Sequence, residues 1–472
     1  MDKTPPLTPP NVPWPADTQV YRPGSDAFTN ATSRWSIYEA PKFIAAVTPK
    51  DEDDVANIVK AARVSNIPIL ATGGRHGYGT TLGKLDGGLA IDLSQMNTIK
   101  IDEAAGTVTV GPGTKLGDVA GPIEEAGYEL PIGSCSDVSV IGASIGAGIG
   151  LLQGLFGLMI DCLVSVRLVL ANGDLVETSE NTNSDLFWGI RGAGANFGII
   201  TTATYQLHKA VNNAQIFTAD AIYPASAKSA YFDVLQSFEN KMPAQLAIVS
   251  AIRWDTNSNT TQIIVCFVYS GTESEARQVL APFLDLSPPV LRTKSVPYSQ
   301  IQQTILFGDG PLAFPPRSIY SIFSVNVRRF AAETWKLTFD KLDTFYKANP
   351  DARSCAAVYE TFSNQAVVEV QDDTTAYPWR DAKGNFMFQM SWPELGNPVE
   401  EPVNILAHEL RQEIATTSGY PDLSVYVNYA HGDETLEQIY GKEKLPRLAR
   451  LKKAWDPDNV FKYHHALPMD YS

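Results

Sequence analysis

The chain has 472 residues, 44% hydrophobic and 19% charged, an ordinary globular composition that is too long for one compact core. Its formal net charge of -15, without a Lys/Arg-rich run, excludes nucleic acid as a natural partner because nothing offers counterion release. Four cysteines (Cys135, Cys162, Cys266, Cys355) with no CxxC pair and no Cys/His cluster exclude a disulfide framework and a zinc site, so no metal is expected.

The amino terminus, MDKTPPLTPPNVPWP, is proline-rich and lacks the basic-then-apolar pattern of a secretory signal, which gives the expectation of a cytoplasmic protein. Phe43 to Val47 reads as a strand. Thr48-Pro49 opens a helix to about Ser65, and Ile67 to Ala71 reads as a buried strand ending in glycines. Short strands at Leu89 to Leu93, Thr98 to Asp102 and Thr107 to Val110 precede a helix from Lys115 to Ala126.

Val138 to Ile160 is uncharged and long enough to span a bilayer. Its glycines at 142, 146, 148, 150, 154 and 157 weaken a helix and let backbone approach a ligand, so it reads as a cofactor-lining loop, with no membrane partner. Leu163 to Leu170 and Leu175 to Thr178 form a hairpin across Asn172-Gly173. From about His208, strands such as Leu246 to Trp254 and Ile263 to Tyr269 alternate with helices at Ser274 to Leu286, Ala331 to Asn349 and Val399 to Thr416. That order predicts an antiparallel sheet covered by helices. The expected division is residues 1–208, with 430–472 returning to them, and residues 209–429.

Three segments hold candidate chemistry. TGGRHGYG (72–79) offers glycines and backbone N–H groups suited to a pyrophosphate, although a glycine-flanked histidine is by itself usually a surface turn. GSCSDVSVIGASIGAGIG (133–150) places Cys135 ahead of the glycine run, whereas Cys162, Cys266 and Cys355 read as buried structural thiols. YVNYA (426–430) reads alone as a tyrosine-rich core strand, followed by Tyr440-Gly441 and WDPDNVF (455–461).

In this order and spacing, together with AAVTPKDEDDV, LAIDLSQMN, VGPGTKLGDV, GLMIDCLVSVRLVLANG and DLFWGIRGAGANFGIITTATYQL, these segments closely resemble the vanillyl-alcohol-oxidase-type flavoproteins, specifically the berberine-bridge-enzyme-like branch. The resemblance covers nearly the whole chain. It implies an α+β protein with a PCMH-type FAD-binding domain built from both chain ends and an antiparallel-sheet substrate domain covered by helices. It also implies a bicovalent FAD, with His76 bonded to the flavin 8α carbon and Cys135 to flavin C6.

The positions that match the family's flavin contacts are Gly73, Gly74, Arg75, Gly77, Val138, Ser139, Gly142, Ser144, Ile145, Gly146, Ile199 and Asn428. Arg75 stands where the usual pattern is glycine, and Ser139 and Ala143 replace a glycine and a histidine. Tyr429 matches a tyrosine that serves as base in several members. A phenol must be stabilised as phenolate for that task, and Arg75 and Arg380 are the candidate cations.

The strand FMFQMSW (386–392) matches a substrate-facing strand that carries a glutamate base in some members, but here it offers Met387 and Gln389. Val138 occupies the position where valine admits oxygen. The expected partners are therefore a small-molecule substrate and molecular oxygen, in an oxidase of secondary metabolism that releases hydrogen peroxide. A carbohydrate oxidase and a flavoprotein cyclase without net redox change are the alternatives.

Overall fold

A computed structural model describes residue 12 and residues 14–15, 18–308 and 315–471. Its first sheet holds β1 (Val20–Tyr21), β2 (Phe43–Val47), β3 (Ile69–Thr72) and β4 (Gly88–Asp92) in the order β1-β2-β4-β3, with β2, β4 and β3 parallel. Parallel neighbours need a crossover, which helix Glu52–Val64 supplies. Asp51 caps that helix by accepting from the Asp54 N–H, and its stripe Val55, Ile58, Val59 and Ala62 packs with Val47, Ile69 and Ile91.

β5 (Ile99–Asp102), β6 (Thr107–Val110), β7 (Tyr128–Glu129), β8 (Leu163–Val169), β9 (Leu175–Ser179), β10 (Ile199–Gln206) and β11 (His208–Lys209) follow. Five of them form the antiparallel sheet β5-β6-β10-β8-β9, and β7 pairs with β11. Gly173, at φ 81°, closes the β8–β9 hairpin predicted from Asn172-Gly173.

The third large sheet contains β12 (Gln215–Pro224), β13 (Leu246–Asp255), β14 (Thr260–Ser270), β15 (Val290–Pro297), β16 (Ser321–Val327), β17 (Ala356–Phe362) and β18 (Gly384–Met390). It is antiparallel throughout, in the order β15-β12-β14-β13-β17-β18-β16. Side chains alternate between its faces. Tyr359, Phe386 and Phe388 meet Tyr231, Trp335 and Leu410 from helices Lys228–Ser237, Ala332–Ala348 and Glu400–Thr417. Val249, Ala356, Val358 and Phe362 point the other way, into the core that also holds Leu116, Val140 and Leu168. Burial on both faces explains the continuous apolar runs of these strands.

Helix Leu445–Trp455 packs against the first half, where Lys452 donates to the Asn196 and Phe461 carbonyls. Lys452 and Asp456 pair at 2.6 Å with no exposed surface, and Asp456 also accepts from the Val460 and Phe461 N–H groups. This network gives WDPDNVF a structural meaning.

Three expectations change. YVNYA is not a strand: residues Val427–Tyr429 form one 3-10 turn. That turn lies along the edge of β16, where the Asn326 N–H donates to the Ser424 carbonyl and the Ser324 hydroxyl to that of Tyr429. The stretch between the proline-rich amino terminus and β2, for which no helix is predicted, contains helix Asp26–Thr32, capped by Ser25. The glycine-rich stretch carries short helices Val140–Ser144 and Gln153–Phe156. Among the described residues no helix is long and apolar enough to cross a membrane.

Candidate active site

Two glycine loops press against each other where their chemistry-bearing residues meet. A methyl group on Gly73 would lie 2.3 Å from the Pro112 carbonyl oxygen, and one on Gly74 would lie 2.7 Å from the Ser139 nitrogen, so only glycine permits this approach. His76 stands two residues beyond Gly74 and lies within electrostatic range of Asp137 and Lys115 on the Cys135 side. Burial, the largest influence, lowers the His76 imidazole to about 4, which keeps it neutral and nucleophilic at neutral pH. Cys135 is exposed, in contrast to the other three cysteines.

Most of the remaining loop residues hold the loops rather than point into the site. The Ser139 hydroxyl accepts from the Gly142 N–H, and Ser144 is buried against the Tyr205 hydroxyl. The Ile145 carbonyl accepts from Gly192 and Gly194, and the Val138 carbonyl from Leu116, leaving the Val138 side chain half-buried. Gly77 packs under Arg34, whose guanidinium donates to the Gly77 carbonyl at 2.7 Å. Ile199 does not join this group: its side chain belongs to the separate core with Val47 and Ile91.

The third wall is the 426–429 turn and the sheet face behind it. The Asn428 amide donates to the Ala143 carbonyl at 2.9 Å and to the Tyr426 hydroxyl, and Gly146 leaves room for it. The Tyr429 hydroxyl donates to Glu360 Oε2 at 2.9 Å. Glu360 stands on β17 opposite Asn385 of β18, on the face that Met387 and Gln389 share. Glu360 is 5% exposed, and this burial pushes its carboxyl up to about 7. Tyr78, two residues beyond His76, lies within electrostatic range of Glu360 and Tyr429.

The expected phenolate-stabilising cations are elsewhere. Arg75 pairs with Asp92 at 2.9 Å, and its backbone adopts φ 59°, the left-handed region that suits the glycine usual there. Arg380 forms a buried two-pronged pair with Asp161 at 2.7 and 3.0 Å. Burial and the adjacent Glu360 instead push the Tyr429 phenol well above its ordinary value. The Gln389 amide nitrogen is buried without a hydrogen-bond partner.

Glu360 itself escaped the sequence reading. Its signal was a lone acid between Val358 and Phe362 on one face of AAVYETF, a strand whose other residues, Thr361 apart, are apolar or aromatic.

Residues 43–179 match the family described as FAD binding domain, and residues 425–468 that described as Berberine and berberine like. Over 96% of its length the chain is 48% identical to the FAD-linked oxidoreductase srdI of Neurospora crassa, covering 90% of that protein. The chain belongs to the berberine-like FAD-linked oxidoreductases. Another relative of this oxidoreductase is the FAD-linked oxidoreductase OXR1 of Pyricularia oryzae, 47% identical over 95% of this chain and 88% of that protein.

Among solved structures, a variant of Physcomitrella patens BBE-like 1 superimposes with a TM-score of 0.85 at 23% identity, covering 97% of this chain and 98% of that one. Glucooligosaccharide oxidase of Acremonium strictum, described with 6-S-cysteinyl, 8α-N1-histidyl FAD, gives 0.83 at 23% identity, with 97% and 98% covered. These likenesses establish the fold.

The residues of this oxidoreductase fit a flavin. A neutral imidazole and an exposed thiol stand on loops that only glycine allows to meet, and the Glu360 carboxyl, bonded to the Tyr429 hydroxyl, stands on the sheet beyond them.

Proposed function

We propose that this chain is an oxidase that removes a hydride from a C–H bond next to oxygen or nitrogen in a small, neutral metabolite of secondary metabolism, and passes the electrons to oxygen to give hydrogen peroxide. The FAD is held twice, through His76 and Cys135. One observation carries the reading: the Tyr429–Glu360 hydrogen bond on the sheet face that looks toward those loops. When bound, the flavin supplies the hydride acceptor.

The protein's own part is the proton. Loss of hydride leaves an O–H or N–H proton to be removed, and a carboxylate near pH 7 is poised for that work. Tyr429 alone is too weak an acid to stand as phenolate. It instead gives its proton to Glu360 as it receives the substrate's, so the buried carboxylate is the final base. Gln389 and the half-buried Met387 orient the substrate, and the small Val138 leaves a way for oxygen. The acid on this face also disfavours an anionic substrate.

An anaerobic panel of neutral alcohols, amines and oligosaccharides, scored by loss of oxidised flavin absorbance, tests the proposal. A bleaching compound should then consume oxygen and release peroxide in equal amounts. Turnover without bleaching would overturn the oxidase reading in favour of a cyclase, and bleaching by sugars alone would replace the substrate class.

A further inference from the structure

His76 is held from outside its own loop. Residues 31–36, the end of helix Asp26–Thr32 and the segment after it, run across the 75–78 segment and contact it at several points. The Trp35 N–H donates to the Arg75 carbonyl at 3.2 Å, and Arg75 Nη1 donates back to the Ala31 carbonyl at 3.2 Å. Arg34 Nη2 donates to the Gly77 carbonyl at 2.7 Å. The Trp35 ring stacks on His76 with centroids 5.7 Å apart and planes 19° apart.

The Trp35 ring also stacks on Tyr320 with centroids 4.0 Å apart, and the strap is tied there too, by Ser36 Oγ to the Tyr320 carbonyl and the Ile37 N–H to that of Ser318. Trp35 thus links His76 to Tyr320, the residue that precedes β16. The sequence motif shows nothing of this, since 43 positions separate Arg34 from Gly77, beyond the reach of a single turn or hairpin.

We propose that the 31–36 strap positions His76 for covalent bonding to the flavin, with Trp35 and Arg34 as the positioning residues. The proposal rests on His76 being an attachment residue. In the attachment, the imidazole nitrogen of His76 bonds to the flavin 8α carbon. The methyl proton, the imidazole N–H proton and the two electrons of the broken C–H bond pass to the isoalloxazine ring system, and molecular oxygen takes them up as hydrogen peroxide.

The step needs an imidazole that is both neutral and aimed, and the strap serves both needs. Trp35 fixes the ring plane. Arg34, itself 8% exposed and lowered to about 10 first by burial and then by Arg75, adds positive potential that disfavours imidazolium. The charged groups facing His76 are Asp137, which opposes this effect, and Lys115 and Arg34, which reinforce it.

The test uses full-length protein in a Cys135→Ala background, so that any acid-stable flavin reports His76 alone. Apoprotein is mixed with FAD in air, and acid-precipitated flavin is followed with time for that parent and for its Trp35→Leu and Arg34→Met derivatives. Both derivatives should still bind FAD, recoverable from the acid supernatant, while attachment slows by roughly 10- to 100-fold, as expected for a misplaced reacting group. In Arg34→Met the pH of half-maximal attachment should also move upward, and Arg34→Lys should restore part of the rate, neither of which a merely structural role predicts.

Attachment at the parental rate in both derivatives would overturn the strap proposal. So would loss of FAD binding in both, because the strap would then hold the fold rather than the histidine. A Cys135→Ala parent with no acid-stable flavin would instead overturn the attachment reading on which the proposal rests.

Discussion

Glu360 derives its reactivity from where it stands. An acid on an exposed strand ionises near 4.5, but on β17 it is enclosed by the sheet and by the 426–429 turn, and burial raises it to about 7. Glu360→Gln keeps the volume and can still accept the Tyr429 hydrogen bond, so the protein should fold and take up flavin. Anaerobic flavin reduction should nevertheless fall by roughly 10² to 10⁴, the usual contribution of a general base. In the wild type that rate should rise with pH through about 7, as Glu360 ionises, and in the variant the rise should vanish. The stability effect has the opposite sense. The folded carboxyl holds its proton more tightly than the unfolded one, so wild-type stability falls as pH rises from about 4.5 to about 7. Thermal melts should therefore favour Glu360→Gln more at pH 8 than at pH 5, and a variant with unchanged reduction would move the base elsewhere.

At the scale of elements, the site depends on how closely two loops approach. The 73–79 loop leaves β3 and the 133–139 loop leads into helix Val140–Ser144, and their backbones meet at Gly74 and Ser139. Gly74→Ala would force a methyl to 2.7 Å from the Ser139 nitrogen and 3.1 Å from the Asp137 oxygen, neither of which is a flexible side-chain end. The loops must separate, at about 1–3 kcal/mol of overpacking strain. Purified Gly74→Ala should carry much less flavin per chain than Gly121→Ala, whose added methyl meets nothing within 4 Å. Equal flavin content in the two would show that the contact does not shape the site.

Across the whole molecule, the α+β architecture and the family were legible in the sequence because they rest on local signals: glycine punctuation, strand-length apolar runs and short motifs. The Asn172-Gly173 hairpin and the helices of the second half fall within a residue or two of their predicted bounds. The partners of the site residues were not legible, because they come from distant segments. Glu360 reaches Tyr429 across 69 positions and Arg380 reaches Asp161 across 219, so the sequence named Tyr429 and Arg380 without showing that one meets a carboxylate and the other is already paired. The 426–430 segment misled for a related reason: its tyrosines favour a strand locally, while hydrogen bonds to the edge of β16 impose a turn.

The central claim, that the two glycine loops bring His76 and Cys135 to a single flavin, is tested most directly by acid precipitation of four proteins: the wild type, His76→Ala, Cys135→Ala and the double variant. The wild type and each single variant should keep yellow flavin in the pellet, and the double variant should release all of it. Flavin in the wild-type supernatant, or in the pellet of the double variant, would contradict the account.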